Sequence, residues 1–229
     1  MRLARPGALT TLVALTLACA GTGAGPAAVR SGPVPFGKLR PFASLYRLDC
    51  CGQRGLLATV RGDGEQLSVA VAAGPAGTVV EGWLSADGGW LRNGGERCVR
   101  PLAPGTLPLP GGAALPLDPW LAATLVSGTV PPAAVPMPAH AGWLTARVRG
   151  LTVRWRVSAG VVAAVEVVRG DGGEPLLEVA LDEHHGRVPG RLRFRAGREA
   201  GELRLVEWRE AALPGTPEWI GWQTCEGPQ

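Results

Sequence analysis

Residues 143–157 read Trp143-Leu144-Thr145-Ala146-Arg147-Val148-Arg149-Gly150-Leu151-Thr152-Val153-Arg154-Trp155-Arg156-Val157. Leu144, Ala146 and Val148 alternate with Thr145, Arg147 and Arg149. Beyond Gly150 the parity shifts, and Leu151, Val153, Trp155 and Val157 alternate with Thr152, Arg154 and Arg156. Side chains of a strand point to opposite faces in turn, so each half describes a strand with one dry and one wet face. The shift by one residue predicts a bulge or tight turn at Gly150.

The same grammar runs both ways along the chain. Downstream, Val161–Arg169 and Pro175–Asp182 are β-type runs. Leu192 and Phe194 then oppose Arg191, Arg193 and Arg195, and Glu202–Glu210 closes the set. Upstream, Leu56–Arg61, the alternating Leu67, Val69 and Val71, Thr78–Leu84, Trp90–Arg92 and Arg97–Leu102 are separated by Gly-rich turns. Asn93-Gly94-Gly95 is a strong hairpin signal. Gly (34) and Pro (21) make up about a quarter of the 229 residues, which argues against a helical bundle. Between two Pro-rich loops lies a single helix signal. Asp118 is a good N-cap, Pro119 fits the first helical position, Trp120–Val126 follow, and Gly128 ends it. Trp120, Leu121, Thr124 and Leu125 share its expected buried face. An antiparallel sheet of about nine to eleven strands must bury its dry face. Curling into an incomplete barrel does so, with the short helix as a lid over the opening.

The N-terminus reads as an address. Arg2 and Arg5 precede an apolar run, Ala8–Ala18, far shorter than the roughly 20 residues that span a bilayer. It ends Leu15-Thr16-Leu17-Ala18-Cys19, which resembles a bacterial lipobox with Thr16 where Leu is usual. The resemblance implies a lipoprotein signal peptide over 1–18 and acylation of Cys19. Residues 19–37 then form the lipidated cysteine and a Gly/Ala/Pro-rich flexible tether, 38–214 the folded domain and 215–229 a tail. Residue 20 is Ala rather than Asp, which favours the outer membrane, facing the periplasm, over inner-membrane retention.

Four further cysteines, Cys50, Cys51, Cys98 and Cys225, suit an exported chain and permit two disulfides. Adjacent cysteines bond each other with difficulty, so Cys50 and Cys51 are expected to seek Cys98 or Cys225, one such bond tying the tail to the sheet. No spacing indicates a metal site. Asp182-Glu183-His184-His185 is the one titratable cluster, and it reads as a turn. Neither a nucleophile motif nor a phosphate or dinucleotide fingerprint is present, so no enzyme, catalytic residue or cofactor is expected. A net charge of +4, scattered along the chain, does not point to nucleic acid.

Several features together resemble the LolB family and the related LolA-type carriers. They are the lipobox, the meander, the turn Ala73-Gly74-Pro75-Ala76-Gly77-Thr78, the helix exit Leu125-Val126-Ser127-Gly128-Thr129-Val130-Pro131, and the final strand Leu203–Trp208 followed by Leu213-Pro214. The likeness covers roughly residues 40 to 214. It implies an unclosed antiparallel barrel with a helical lid around an apolar cavity for acyl chains. The function implied is a membrane-anchored lipoprotein taking a lipidated protein or another amphiphile as cargo, with a periplasmic carrier as partner. The family's receptor bears an exposed Leu on a protruding loop; here the turn carries Ala76, a departure that bears on lipid insertion. The expected cavity wall is Leu67, Val69, Val71, Trp120, Leu121, Leu125, Val153, Trp155, Leu192 and Phe194. The alternative, which any single one of these residues fits better, is packed core. A filled barrel would make the protein a structural or assembly-type envelope lipoprotein without ligand. Trp219 and Trp222 are expected to pack on the barrel edge or touch a membrane interface.

Overall fold

The computed structural model describes residues 37–74, 77–108, 114–138, 140–148, 150–170, 173–212 and 215–225. Cys19, Ala76, Leu213 and Pro214 therefore lie outside the described residues. The first half of the chain forms β1 (Phe42–Cys50), β2 (Gln53–Gly62), β3 (Gln66–Ala72), β4 (Thr78–Ser85), β5 (Gly88–Asn93) and β6 (Arg100–Leu102). A small hairpin, β7 (Thr106–Pro108) and β8 (Ala114–Pro116), precedes the helix α1 (Pro119–Ser127). The second half forms β9 (Val135–Pro136), β10 (Trp143–Val148), β11 (Leu151–Ser158) and β12 (Val161–Arg169). It ends with β13 (Leu177–Asp182), β14 (Arg191–Ala196) and β15 (Glu199–Glu210).

Thirteen strands form one sheet in the order β6-β5-β4-β3-β2-β1-β15-β14-β13-β12-β11-β10-β9, and β7 and β8 pair separately. Each half is an antiparallel meander, and the first and last strands of the sheet join the two halves at its centre. Phe42 lies opposite Glu210 and Cys50 opposite Gly201, with one irregularity between Leu45 and Tyr46. The edges, β6 and β9, do not pair, so the sheet is open rather than a closed barrel. The strand total exceeds expectation because β1, β7, β8 and β9 carry no clean alternation. The parity shift at Gly150 is a two-residue turn, with Val148 opposite Leu151 and Gly150 in the left-handed region at φ 80°.

The helix forms where its caps predict. The Leu121 amide donates to Asp118 Oδ1 at 2.7 Å, and Gly128 ends the helix at φ 60°. A Cβ at Gly128 would collide with the Arg187 carbonyl oxygen, so glycine is required there twice over. Pro119 and Leu121 through Val126 are all buried, and Trp120 and Ser127 are half-buried. A charge-free helix has no face to give to water, so it packs against the sheet. It rests on β2 and β3 and shares one continuous core with residues of both meanders, Leu67 and Phe42 from the first and Trp155 and Leu192 from the second.

Neither disulfide is one of the expected pairings. Cys98 bonds Cys225, and Cys50 bonds its neighbour Cys51. The topology explains why. Cys50 ends the central strand, while Cys98 precedes the edge strand five places away. At about 4.8 Å per strand that is roughly 24 Å, far beyond disulfide reach. The Cys98–Cys225 bond fixes the tail along this edge. The Val99 amide donates to Gln223 O at 3.0 Å and the Cys225 amide to Val99 O at 2.9 Å. Trp219 and Trp222 sit against the outer face of the sheet, with the Arg92 guanidinium 5.8 and 5.1 Å from their ring centres. Glu81 holds that guanidinium at 2.6 Å.

Candidate functional site

The hollow in this protein lies at the N-terminal end of α1. A cavity of about 620 Å³ opens between the helix, the β7–β8 hairpin and the end of the second meander. Pro104, Gly105, Thr106 and Pro116 form the hairpin wall, and Trp120 and Leu121 form the helix wall. Val148, Leu151 and Val153 come from the turn between β10 and β11, Leu176 from the approach to β13, and Ala196 and Gly197 from the turn after β14.

The polar groups are few. Asp118 borders the cavity, but its carboxylate is engaged by the helix cap. Arg169 and Glu174 stand exposed at the rim. An amphiphile in this site would therefore find a mostly apolar wall, with the capped Asp118 the one buried charge and Arg169 and Glu174 exposed.

Trp120 also borders a second cavity of about 200 Å³ on its other side, lined by Gly37, Lys38, Leu39, Thr124, Thr129, Pro131 and Pro132. Its ring meets Trp155 edge to face, with centroids 5.8 Å apart and planes at 84°. Such pairs contribute about 0.5–1.5 kcal/mol beyond area burial. Trp155 itself is fully buried, and its indole nitrogen has no hydrogen-bond partner.

Of the ten residues expected at the wall, Trp120, Leu121 and Val153 are there. Leu67, Leu125, Trp155 and Leu192 belong instead to the solid core, and Val69, Val71 and Phe194 are half-buried against it. Val148, Leu151 and Leu176 were not expected at the wall. Their only signal was position, since each ends or precedes a strand beside a Gly-containing turn.

The other polar clusters are structural. His184 donates from Nε2 to the Val162 carbonyl at 2.9 Å, Asp182 pairs with Arg193 at 2.6 Å, and Glu183 pairs with Arg191 at 3.5 Å. This is the turn the sequence implied. Glu96, Cys98 and Cys225 converge, but the two sulfurs are bonded to each other, which leaves a single carboxylate. Burial pushes the Tyr46 phenol well above its usual pKa, with Ser44 pulling the other way, so it stays neutral in the core.

No protein-family model matches the chain, and no curated protein matches it. Among solved structures, it is similar to a LolA superfamily protein from Nitrosomonas europaea at 11% identity and a TM-score of 0.49. That match covers 79% of this chain and 90% of the other. It is also similar to the Mycobacterium tuberculosis lipoprotein LppX, at 10% identity and a TM-score of 0.30, covering 76% of this chain and 89% of that one.

Proposed function

We propose that the protein binds the acyl portion of an amphiphile in the 620 Å³ cavity, in a LolB-like role in lipoprotein localisation. The observation that carries this is a sizeable, mostly apolar hollow, with the capped Asp118 its one buried charge. A methylene gains about 0.8 kcal/mol on leaving water, so a dozen buried methylenes offset a substantial cost of ordering the chain. Taking a methylene to occupy about the volume share of a liquid water, about 30 Å³, the cavity accommodates roughly twenty. That is room for one long acyl chain, carried by a lipidated protein or another amphiphile.

In this reading Cys19 is acylated, and the tether holds the domain off the periplasmic face of the outer membrane. The protein is a binder rather than an enzyme. Among the described residues, the polar groups at the cavity are a threonine, a capping aspartate and an exposed Arg169–Glu174 rim. Native mass spectrometry of the full chain purified from its membrane tests the reading. Bound acyl lipid that is lost on Leu151→Trp, which fills the cavity, is the expected result. A chain that carries no lipid, and takes none when it is offered, sinks the carrier role. It would leave the assembly-type lipoprotein, a reading favoured by the solid packing around Trp155 and Leu67.

A further inference from the structure

We propose that Trp120 is a specificity-determining residue that sets the length of chain the cavity accepts, an inference that rests on the acyl-binding reading above. One side chain borders both hollows: about 620 Å³ on the side of Val148 and Leu151, and about 200 Å³ on the side of Leu39 and Pro131. It is the one residue that lines both. In this proposal a chain in the larger compartment meets the indole before it reaches the smaller one.

The wall is a removable one. Trp120 is half-buried, unlike Leu121 through Val126 that follow it, and its ring meets Trp155 edge to face. Its backbone is held independently, because the Asp118 cap and Pro119 fix the first turn whatever side chain follows. Shortening Trp120 should thus join the compartments without unwinding the helix. The added 200 Å³ corresponds to about six or seven methylenes at about 30 Å³ each. The far compartment borders Gly37 and Lys38, where the described chain begins, so a longer chain would reach toward the tether side of the domain.

The test offers a series of saturated fatty acids of increasing length to the full chain carrying Cys19→Ser, so that it has no lipid of its own. Binding is read by native mass spectrometry and by displacement of a fluorescent fatty acid. In the parent, affinity should rise with chain length and then level off. In Trp120→Ala the plateau should move to chains longer by about six carbons. Trp120→Phe should keep the original limit, and Trp120→Leu, a milder change should the alanine variant fail to fold, should shift it part of the way. Leu39→Trp in the Trp120→Ala background refills the far compartment and should restore the original limit. If the alanine and leucine variants bind fatty acids with the same length limit as the parent, Trp120 is not the determinant, while the cavity stands as an acyl site. If no variant and not the parent binds any fatty acid, the acyl reading fails, and this inference with it.

Discussion

The two meanders are built alike and end up unlike. In the first, α1 lies directly on β2 and β3, and Leu67, Ala58 and Tyr46 are sealed beneath it. In the second, the strands continue past the end of the helix, and Val148 and Leu151 look into open space. The outer faces differ too. The first meander carries the tail, with Trp219 and Trp222 on Arg92 and a disulfide at its edge. The second carries ion pairs between neighbouring strands, including Arg193–Asp182 at 2.6 Å and Arg195–Glu178 at 2.7 Å. Exposed pairs of this kind are worth about 0–1 kcal/mol each. The first half is thus the fastened, filled half, and the second keeps a hollow and a solvated back. One short helix set off-centre in a nearly symmetric sheet is enough to produce the asymmetry.

The sharpest test of that contrast is Leu67→Ala against Leu151→Ala. Leu67 has no exposed surface, so truncation opens a dry void and costs about 2–5 kcal/mol. Leu151 is half-buried beside a hollow that already exists, and its loss should cost about 1 kcal/mol. Equal shifts in the urea unfolding midpoint would erase the distinction between filled and hollow halves.

The disulfides give a second comparison. Cys98 and Cys225 are 127 residues apart, whereas Cys50 and Cys51 are adjacent. Cross-linking distant residues restricts the unfolded chain far more than linking neighbours does. The double variant Cys98→Ser with Cys225→Ser should therefore lose about 2–4 kcal/mol, and Cys50→Ser with Cys51→Ser much less. Tryptophan emission should shift to the red in the first variant, as Trp219 and Trp222 leave Arg92. Unchanged emission would mean that the stacking alone holds the tail.

The smallest effect concerns the ion pairs behind the second meander. Hydrogen bonds from Arg191 and then Arg204 hold the Glu202 carboxyl below its ordinary pKa, desolvation opposing them. A depressed folded pKa stabilises the protein above the unfolded value. That contribution is lost as pH falls from about 4.3, the ordinary glutamate value, toward the lower folded one. Glu202→Gln should flatten this part of the stability profile, measured as urea midpoint against pH, and leave neutral pH little changed. A profile of the same slope would show that Glu202 contributes nothing to acid unfolding.

Much of this frame was legible in the residues. Asp118-Pro119 and Gly128 bound the helix, and the alternation around Leu144–Val157 and Leu192–Phe194 marks true strands. The central strand was not legible. Phe42, Ser44 and Tyr46 face inward, but the irregularity between Leu45 and Tyr46 breaks the period, and Ala43 is buried as well. The β7 and β8 strands are three residues each and contain proline, too short for any period to register. The cavity was legible only in kind. Val153 borders it and Trp155, two residues on along the same face, lies in solid core. No local property separates them, because the hollow is decided by tertiary packing around the start of the helix.

The pairing of β1 with β15 has a consequence for biogenesis. Residues 42–50 leave the ribosome well before their partner at 199–210. Until then the first meander carries a bare inner edge, a template for stray strand addition. Contacts this distant in sequence also form slowly. A sheet whose keystone is laid late leaves its two halves unable to lock together until that strand arrives.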